Sequence, residues 1–454
     1  SLSTLLALAV GLTAILLFSG FKANLGYTML TAFVRSGGHL QIQHRDYFLY
    51  GSGNPTAYAI ADYADLLEEI RSDVVLEPML SMATPMLRFG GLAGNFDAGI
   101  SRTVIGTGYV AQDMGRMRQW NQFRIPNARP QFMLEGTPSD AAVVGVGLAR
   151  VLQLCAALHL EGCPAPAPLD SAPTPKAAAG LPSDIALLAQ EEHRANTGKQ
   201  APRTSGARIE LLSSSVRGAP NVATLDVVAA EDQGFKELDE ISVILNLGYA
   251  QSLVFGRSPP KITAILVQLE NSADQGVAAR RLREILDRRS ATKELVVRTF
   301  SELNPFYVQS EQLFSVIFDF ISILIGGIVL FTVVNTMNAA VVERTVEIGT
   351  LRAIGLRRQG IRRLFVIEGL VLGCAGAIAG IIAALVLAAL INHSGLTWLP
   401  PGSSEQLPLQ LRVLGERTTV AVSTLGLIFI ASASAWWPAW HAAKMKVVDA
   451  LRHA

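Results

Sequence analysis

Four long apolar segments, one at the start of the chain and three crowded near its end, limit what these 454 residues can fold into. They are residues 2–21, 314–340, 365–391 and 418–437. About 20 helical residues cover the roughly 30 Å hydrocarbon core of a bilayer. Backbone in lipid must satisfy its own polar groups, so each such segment is expected to be a helix. Half of all residues are hydrophobic, a share that suits a chain divided between lipid and water. Residues 2–21 carry no charged side chain. A signal peptide would show a basic segment before the apolar run and a small-residue cleavage pattern after it, and trimming could have removed the first of these. Neither is present, so a retained spanning helix is the favoured reading.

Charge sets the orientation. Arg344, Arg352, Arg357, Arg358, Arg362 and Arg363 lie between the second and third segments, and Lys444, Lys446 and Arg452 follow the fourth. By the positive-inside rule both stretches are cytoplasmic. An even number of crossings then puts the first residue inside as well and sends residues 22–312 to the far side. The expected architecture is an α-helical membrane protein with four transmembrane helices, plus a large mixed α+β extracytoplasmic (periplasmic) domain between the first and second. Its parts are a first helix and stalk over residues 1–35, the exported domain over 36–304, and a permease domain over 305–454. The chain's formal net charge of +1 gives no electrostatic reason to bind nucleic acid.

Within the exported interval, residues 40–44 alternate like a strand, 61–75 read as an amphipathic helix, and 75–89 and 100–110 look extended. Residues 140–154 (DAAVVGVGLARVLQL) read as a buried strand turning through Gly145 and Gly147 into a helix. The pair of glycines suggests a dinucleotide fingerprint, but Arg150 occupies the third glycine position, so the match fails. Residues 164–205 are rich in proline, alanine and small polar residues and lack the periodicity of a core, which reads as a mobile insertion. Beyond it, 208–216 and 222–229 look like strands. Residues 261–270, 274–289 and 295–300 read strand, helix, strand, suggesting a small βαβ layer beside the main domain. Ala278, Leu282, Ile285 and Leu286 share one face of that helix. Cys155 and Cys163 both fall in the exported interval and close a short loop, so an oxidising compartment could join them, with Cys374 free. The cysteines lack metal-ligand spacing, and no metal or cofactor site is expected.

On the cytoplasmic side, residues 341–355 carry Ile348, Leu351 and Ile354 at helical spacing among charges, the pattern of a short surface helix. Topological anchoring alone would account for that pattern. Gly376, Gly380 and Ala384 recur every fourth residue on the third spanning segment, which allows close helix approach in lipid. Asp319 and Glu368 are carboxylates beside spanning segments, for which water or arginine partners near an interface are expected. No phosphate loop, HExxH, GxSxG or nucleophile triad is found, so no catalytic residue is assigned.

Residues 335–380, NTMNAAVVERTVEIGTLRAIGLRRQGIRRLFVIEGLVLGCAGAIAG, resemble the signature of the MacB, LolC/LolE and FtsX permease family. The ERxxEIGxLRAxG segment falls on Glu343, Arg344, Glu347, Ile348, Gly349, Leu351, Arg352, Ala353 and Gly355. The following EGxxLGxxG falls on Glu368, Gly369, Leu372, Gly373 and Gly376. The tail adds Pro438, Ala439, Ala442, Ala443, Asp449, Ala450, Leu451 and Arg452, similar to the family's PAxxAAxxxxxxALR ending.

The resemblance implies a type VII ABC transporter permease working by mechanotransmission. Residues 343–355 would form a coupling helix on an ABC ATPase subunit dimer, which would bind the ATP and magnesium. Glu343, Arg344, Glu347 and Arg352 would make polar contacts there while Ile348 and Ala353 fill a groove. With no phosphate loop in the sequence, the energy source is expected on another chain or on a portion absent from this sequence, and a separate ATPase subunit is the favoured expectation because the chain begins close to its first helix. A second permease copy or a related permease would complete the complex in the inner membrane. The exported work would be release of lipoproteins or lipids with a periplasmic chaperone. The alternatives are MacB-like efflux of small molecules or peptides with an adaptor, and FtsX-like regulation of a cell-wall hydrolase.

The orientation has a direct check. Reporter fusions at Gly198 and Gln359 should give opposite location signals, and matching signals would refute the layout.

Overall fold

The computed structural model describes every residue except 1, 52, 97, 127–130, 162–206, 215–218, 290, 291, 293, 400–405, 416 and 445–454. The chain divides into two compact units, one made of residues 1–32, 304–400 and 406–454 and the other of residues 33–303. Helix α1, Leu2–Gly37, belongs to both. It stops at Gly38, whose φ of +73° suits glycine and where a Cβ would lie 2.7 Å from the Val267 carbonyl.

The α/β unit is built on a nine-stranded sheet. Its elements in chain order are β1 (Leu40–His44), α2 (Tyr63–Ser72), β2 (Leu80–Asn95), β3 (Ile100–Tyr109), α3 (Ala111–Gln119), β4 (Ala141–Gly145), α4 (Val146–Val151), β5 (Ala207–Ser214), β6 (Pro220–Glu231), β7 (Ser242–Asn246), α5 (Leu247–Phe255), β8 (Ala264–Leu269), α6 (Gln275–Arg288) and β9 (Leu295–Thr299). The strand order is β3-β7-β4-β6-β5-β2-β8-β1-β9, and β2 also pairs with β3. Six strands therefore close on themselves, which removes their edges. The long β2 makes both arrangements possible. Its first half pairs with β8, while its second half pairs with β3 and, at Leu92–Gly94, with β5. Where β2 meets β3, the Phe89 ring lies over Gly106, in space that any side chain at that position would need.

Alternation along the strands separates two apolar layers. One joins Leu40, Ile42, Ile265 and Val267 to α2 and to Ala278, Leu282, Ile285 and Leu286 of α6. The other packs Met114 and Met117 of α3 with Phe132, Met86 and Leu266. Ion pairs fasten the helices. Arg281 of α6 grips both Asp73 oxygens at 2.8–3.1 Å, holding that carboxyl below its usual range. Arg118 of α3 makes a two-pronged pair with Glu231 of β6, both side chains being mostly buried.

Two expectations need correction. Residues 75–79 are not extended, because Glu77–Met79 form a single tight turn of helix with Pro78 inside it. Nor do residues 261–300 make a separate βαβ layer. Strand β1 lies between β8 and β9, antiparallel to both, so the unit starting at β8 is split and belongs to the main sheet. The turn through Gly145 and Gly147 holds no room for a phosphate. The Asp239 carboxylate accepts from the Val146 and Gly147 amides at 2.9 and 2.6 Å, and the Asp239 backbone lies against Gly145. Cys155 is half of a disulfide and Cys374 is a free thiol. Cys163 and the insertion at 164–205 lie outside the described residues.

The chain enters and leaves the α/β unit side by side. Leu40 of β1 faces Thr299 of β9, and the Phe300 amide donates to the His39 carbonyl at 3.0 Å. His39 is the buried node of this joint. Its Nδ1 accepts from the Leu269 amide at 3.0 Å, its Nε2 lies 3.0 Å from the Ser272 hydroxyl, and its ring meets Trp120 edge to face. Nearby, Arg35 donates to the Trp120 carbonyl, and Gln268 donates to the carbonyls of Val34 and Met117.

The helical unit contains α1, α7 (Pro305–Glu343), α8 (Thr345–Ala353), α9 (Arg358–His393) and α10 (Arg417–Lys444). A two-residue-per-strand hairpin, β10 (Thr397–Trp398) and β11 (Leu407–Pro408), joins the last two. Helices α1, α7, α9 and α10 are long and apolar enough to cross a membrane. A single turn at Phe300–Leu303 precedes α7, which starts at Pro305, where the missing amide costs nothing.

Burial pushes the His39 pKa down from 6.5 to about 4. The unfolded chain therefore takes up this proton near pH 6.5 and the folded chain only near pH 4, so the stabilisation is complete above 6.5 and is lost as pH falls to about 4. Denaturant midpoints of the native protein should drop over that window more steeply than those of His39→Gln. Parallel pH profiles would show that the imidazole does not carry the linkage.

Candidate functional site

The chemistry of residues 341–355 starts from a break. Helix α7 ends at Glu343, Arg344 leaves helical geometry, and α8 begins at Thr345. The Arg344 guanidinium lies 3.5 Å from the Glu368 carboxylate on α9, so a half-exposed ion pair links the break to the next long helix. Pairs this exposed contribute on the order of 0–1 kcal/mol, so this one fixes geometry more than it stabilises.

One side of α8 is held by its own protein. Ile348 is only 3% exposed and belongs to the cluster containing Met337, Val341, Ile361, Phe365, Ala439 and Ala443. Gly349 is buried beside it. The Arg352 guanidinium reaches the Ala443 carbonyl of α10 at 3.4 Å. The other side is open. Leu351 is 40% and Ile354 80% exposed, and Val342, Val346 and Leu356 are exposed too. Glu343, Glu347 and Ala353 are also solvent-facing.

Ile348 is thus not free to fill a partner's groove as expected, because its methyl groups already pack inside the bundle. The apolar side chains that stay exposed include Val342, Val346, Leu351, Ile354 and Leu356. Gly355 ends the segment at φ +104°. The Gly355 amide donates to Arg352 and the Leu356 amide to Leu351, which closes the helix end in a Schellman arrangement that needs this left-handed residue.

The glycines of α9 form one narrow face that meets two neighbours. A Cβ at Gly369 would lie 2.7 Å from Ala435 Cβ, and one at Gly373 3.2 Å from Ala431 Cβ, both on α10. Further along, a Cβ at Gly376 would lie 2.6 Å from Leu8 Cβ, and one at Gly380 2.9 Å from the Ala9 carbonyl, both on α1. Thr13 donates to the Gly380 carbonyl at 3.1 Å, and Ala384 continues the buried face. The contacts of Gly376 and Gly380 are made within one chain. Sequence reading missed that Gly369 and Gly373 seat α10, although their spacing from Gly376 and Gly380 was the available signal. Asp319 is exposed on α7. The terminal motif residues Asp449, Ala450, Leu451 and Arg452 lie outside the described residues.

Residues 319–447 match the FtsX-like permease C-terminal family. Over 169 residues the chain is 29% identical to the macrolide export ATP-binding/permease protein MacB of Bradyrhizobium diazoefficiens, covering 37% of this chain and 25% of that protein. Over 136 residues it is 32% identical to MacB of Escherichia coli, covering 29% and 21%. With MacB of Neisseria gonorrhoeae the identity is 28% over 192 residues, or 41% and 27% of the two chains. The matched stretches thus span about a quarter of the length of these relatives.

Side-chain volume should be forbidden on the glycine face and tolerated elsewhere in the bundle. Gly380→Ile should abolish accumulation of folded protein, whereas Gly327→Ile, where a Cβ meets nothing within 4 Å, should express normally. Size-exclusion profiles in detergent distinguish the two, and equal behaviour would remove the close packing from the argument.

Proposed function

Because the chain belongs to the MacB- and FtsX-like permease family, we propose that it is the permease of a type VII ABC transporter, coupling ATP hydrolysis by a partner ATPase to work outside the membrane. The observation that carries this reading is the two-sidedness of α8. One side is locked to α9 and α10, and the other offers Leu351, Ile354, Leu356 and Glu347 to a docking partner. Force applied to such a segment would reach the bundle without being absorbed by a flexible loop.

Helix α7 supports transmission. Its 39 residues extend about 58 Å at 1.5 Å per residue, well beyond the roughly 30 Å a bilayer core requires. In this reading the α/β unit lies outside the cytoplasmic membrane, and closure of an ATPase dimer on α8 displaces it through α1 and α7. ATP and magnesium bind the ATPase, and a second permease completes the assembly. The relatives are named for macrolide export, which supports export of small molecules as the first reading. Lipoprotein release with a chaperone is the second reading, and it uses the same coupling.

The open side of α8 provides the test. Glu347→Lys and Ile354→Ala should each weaken co-purification of the ATPase, the latter by about 1–3 kcal/mol if Ile354 becomes buried on docking. Arg352→Glu should uncouple hydrolysis from transport, since Arg352 also contacts α10. Ile348→Ala should instead destabilise the bundle, by about 2–4 kcal/mol for a buried site. Normal ATPase binding and transport in both Glu347→Lys and Ile354→Ala would reduce α8 to a topological anchor.

A further inference from the structure

Strand β2 has one stretch of edge that no strand covers. Its ladder with β3 ends where Met86 faces Tyr109, after which the chain turns away into α3. Residues 80–85 therefore have a strand partner on one side only, β8. Ala83 faces Val267 in that pair, but the Val267 carbonyl accepts from the His39 amide on its far side. Opposed residues of an antiparallel pair either exchange both hydrogen bonds or turn both groups away. The amide and carbonyl of Ala83 thus face the open edge. Arg71 at the end of α2 marks the same direction, since its Nε and Nη2 both donate to the Ala83 carbonyl, the Nε at 3.1 Å.

Helices wall this edge on both faces. Helix α2 packs on the face that carries Ala83 and Leu87, and α3 on the face that carries Met86. Between them lies an open cleft of about 340 Å³, with residues 80–83 at its floor and Arg71, Glu77, Asp113 and Arg116 around it. A second cavity of about 530 Å³ runs along Tyr63, Leu67 and Glu68 of α2 and shares Arg71 with the first. Arg71 reaches to 3.5 Å from Asp113 of α3, which also accepts from the Thr84 hydroxyl. Arg116 and Glu77 are exposed and form no ion pair among the described residues.

The cleft calls for a ligand that both donates and accepts. A free anion would meet Asp113 and Glu77 as well as the arginines, and it has no proton to give the Ala83 carbonyl. An extended peptide offers an amide and a carbonyl to Ala83 and a charge of each sign to the walls. Main-chain hydrogen bonds give strand addition its affinity, and alternate side chains give its specificity. Pro85 has no amide, so an added strand pairs with the part of the edge before it.

We propose that this edge of β2 receives an extended segment of a partner protein, whose backbone pairs with Ala83 in place of Arg71 and whose acidic and basic side chains meet Arg116 and Glu77. Arg71, displaced from the carbonyl, stays beside Asp113. The site lies wholly within the α/β unit and does not depend on which cargo is moved or on α8 being the ATPase dock.

The full chain in nanodiscs is titrated with a fluorescent synthetic peptide of alternating threonine and valine that carries one glutamate and one lysine, and anisotropy is the readout. The native protein should bind it. The same peptide N-methylated at alternate amides, in either phase, should bind less, with one phase losing binding because it can no longer donate to Ala83. Arg116→Glu should weaken binding about three- to fivefold, the range of an exposed ion pair, and a peptide with lysine in place of its glutamate should recover it. Arg71→Ala should tighten binding, since the carbonyl is then uncovered. Where Arg71→Ala fails to fold, Arg116→Glu and its paired lysine peptide decide. Equal binding of both N-methylated peptides would mark a site for charge alone and would overturn strand addition. So would the absence of binding to the native protein, or binding unchanged in Arg116→Glu. A smaller oligomer in Arg116→Glu on size exclusion would make a second copy of this chain the occupant and would also overturn the proposal.

Discussion

The helical unit depends on the absence of side chains along one face of α9. Gly369 and Gly373 admit α10, and Gly376 and Gly380 admit α1, so one ribbon of backbone serves two neighbours at successive heights. In lipid no hydrophobic force drives helices together, and close packing with polar backbone contacts must do so. The hydrogen bond from Thr13 to the Gly380 carbonyl exists only because the helices come this near. The placement of α8 follows from the same packing. Ile348 finds its pocket beside Ala439 and Ala443 because α10 is already seated on α9.

Much of this was legible before any coordinates. Local signals were sufficient where the physics is local: apolar length for four helices, alternation for β1, β5 and β6, and helical periodicity for α6. The break at Arg344 and the turn at Gly355 also sit inside the motif that marked the segment. What could not be read was which face of α8 belongs to the protein itself. Ile348, Leu351 and Ile354 look equivalent in sequence, and only the position of α10, set by distant residues, buries the first and exposes the others.

The sheet teaches the same lesson on a larger scale. Strand β1 slips between β8 and β9 although more than two hundred residues separate them in sequence. No local pattern encodes that register. A βαβ reading of residues 261–300 follows from periodicity, and it errs in making them a layer of their own, because β8 and β9 flank β1 within the main sheet. Likewise, a glycine-rich strand-to-helix turn can welcome a phosphate or a carboxylate from its own chain. Asp239, far along the sequence, decides between them.

The joint at His39 bears on how such a protein could have arisen. Because β1 and β9 are hydrogen-bonded neighbours, the ends of the α/β unit lie one strand spacing apart, about 4.8 Å. A unit with adjoining ends can be inserted into a helical protein, or exchanged for another, with little change in the distance its flanking segments must bridge. The long interval between the first and second membrane helices is therefore a removable cassette. Its size can change without moving the two helix ends that the glycine-lined bundle holds.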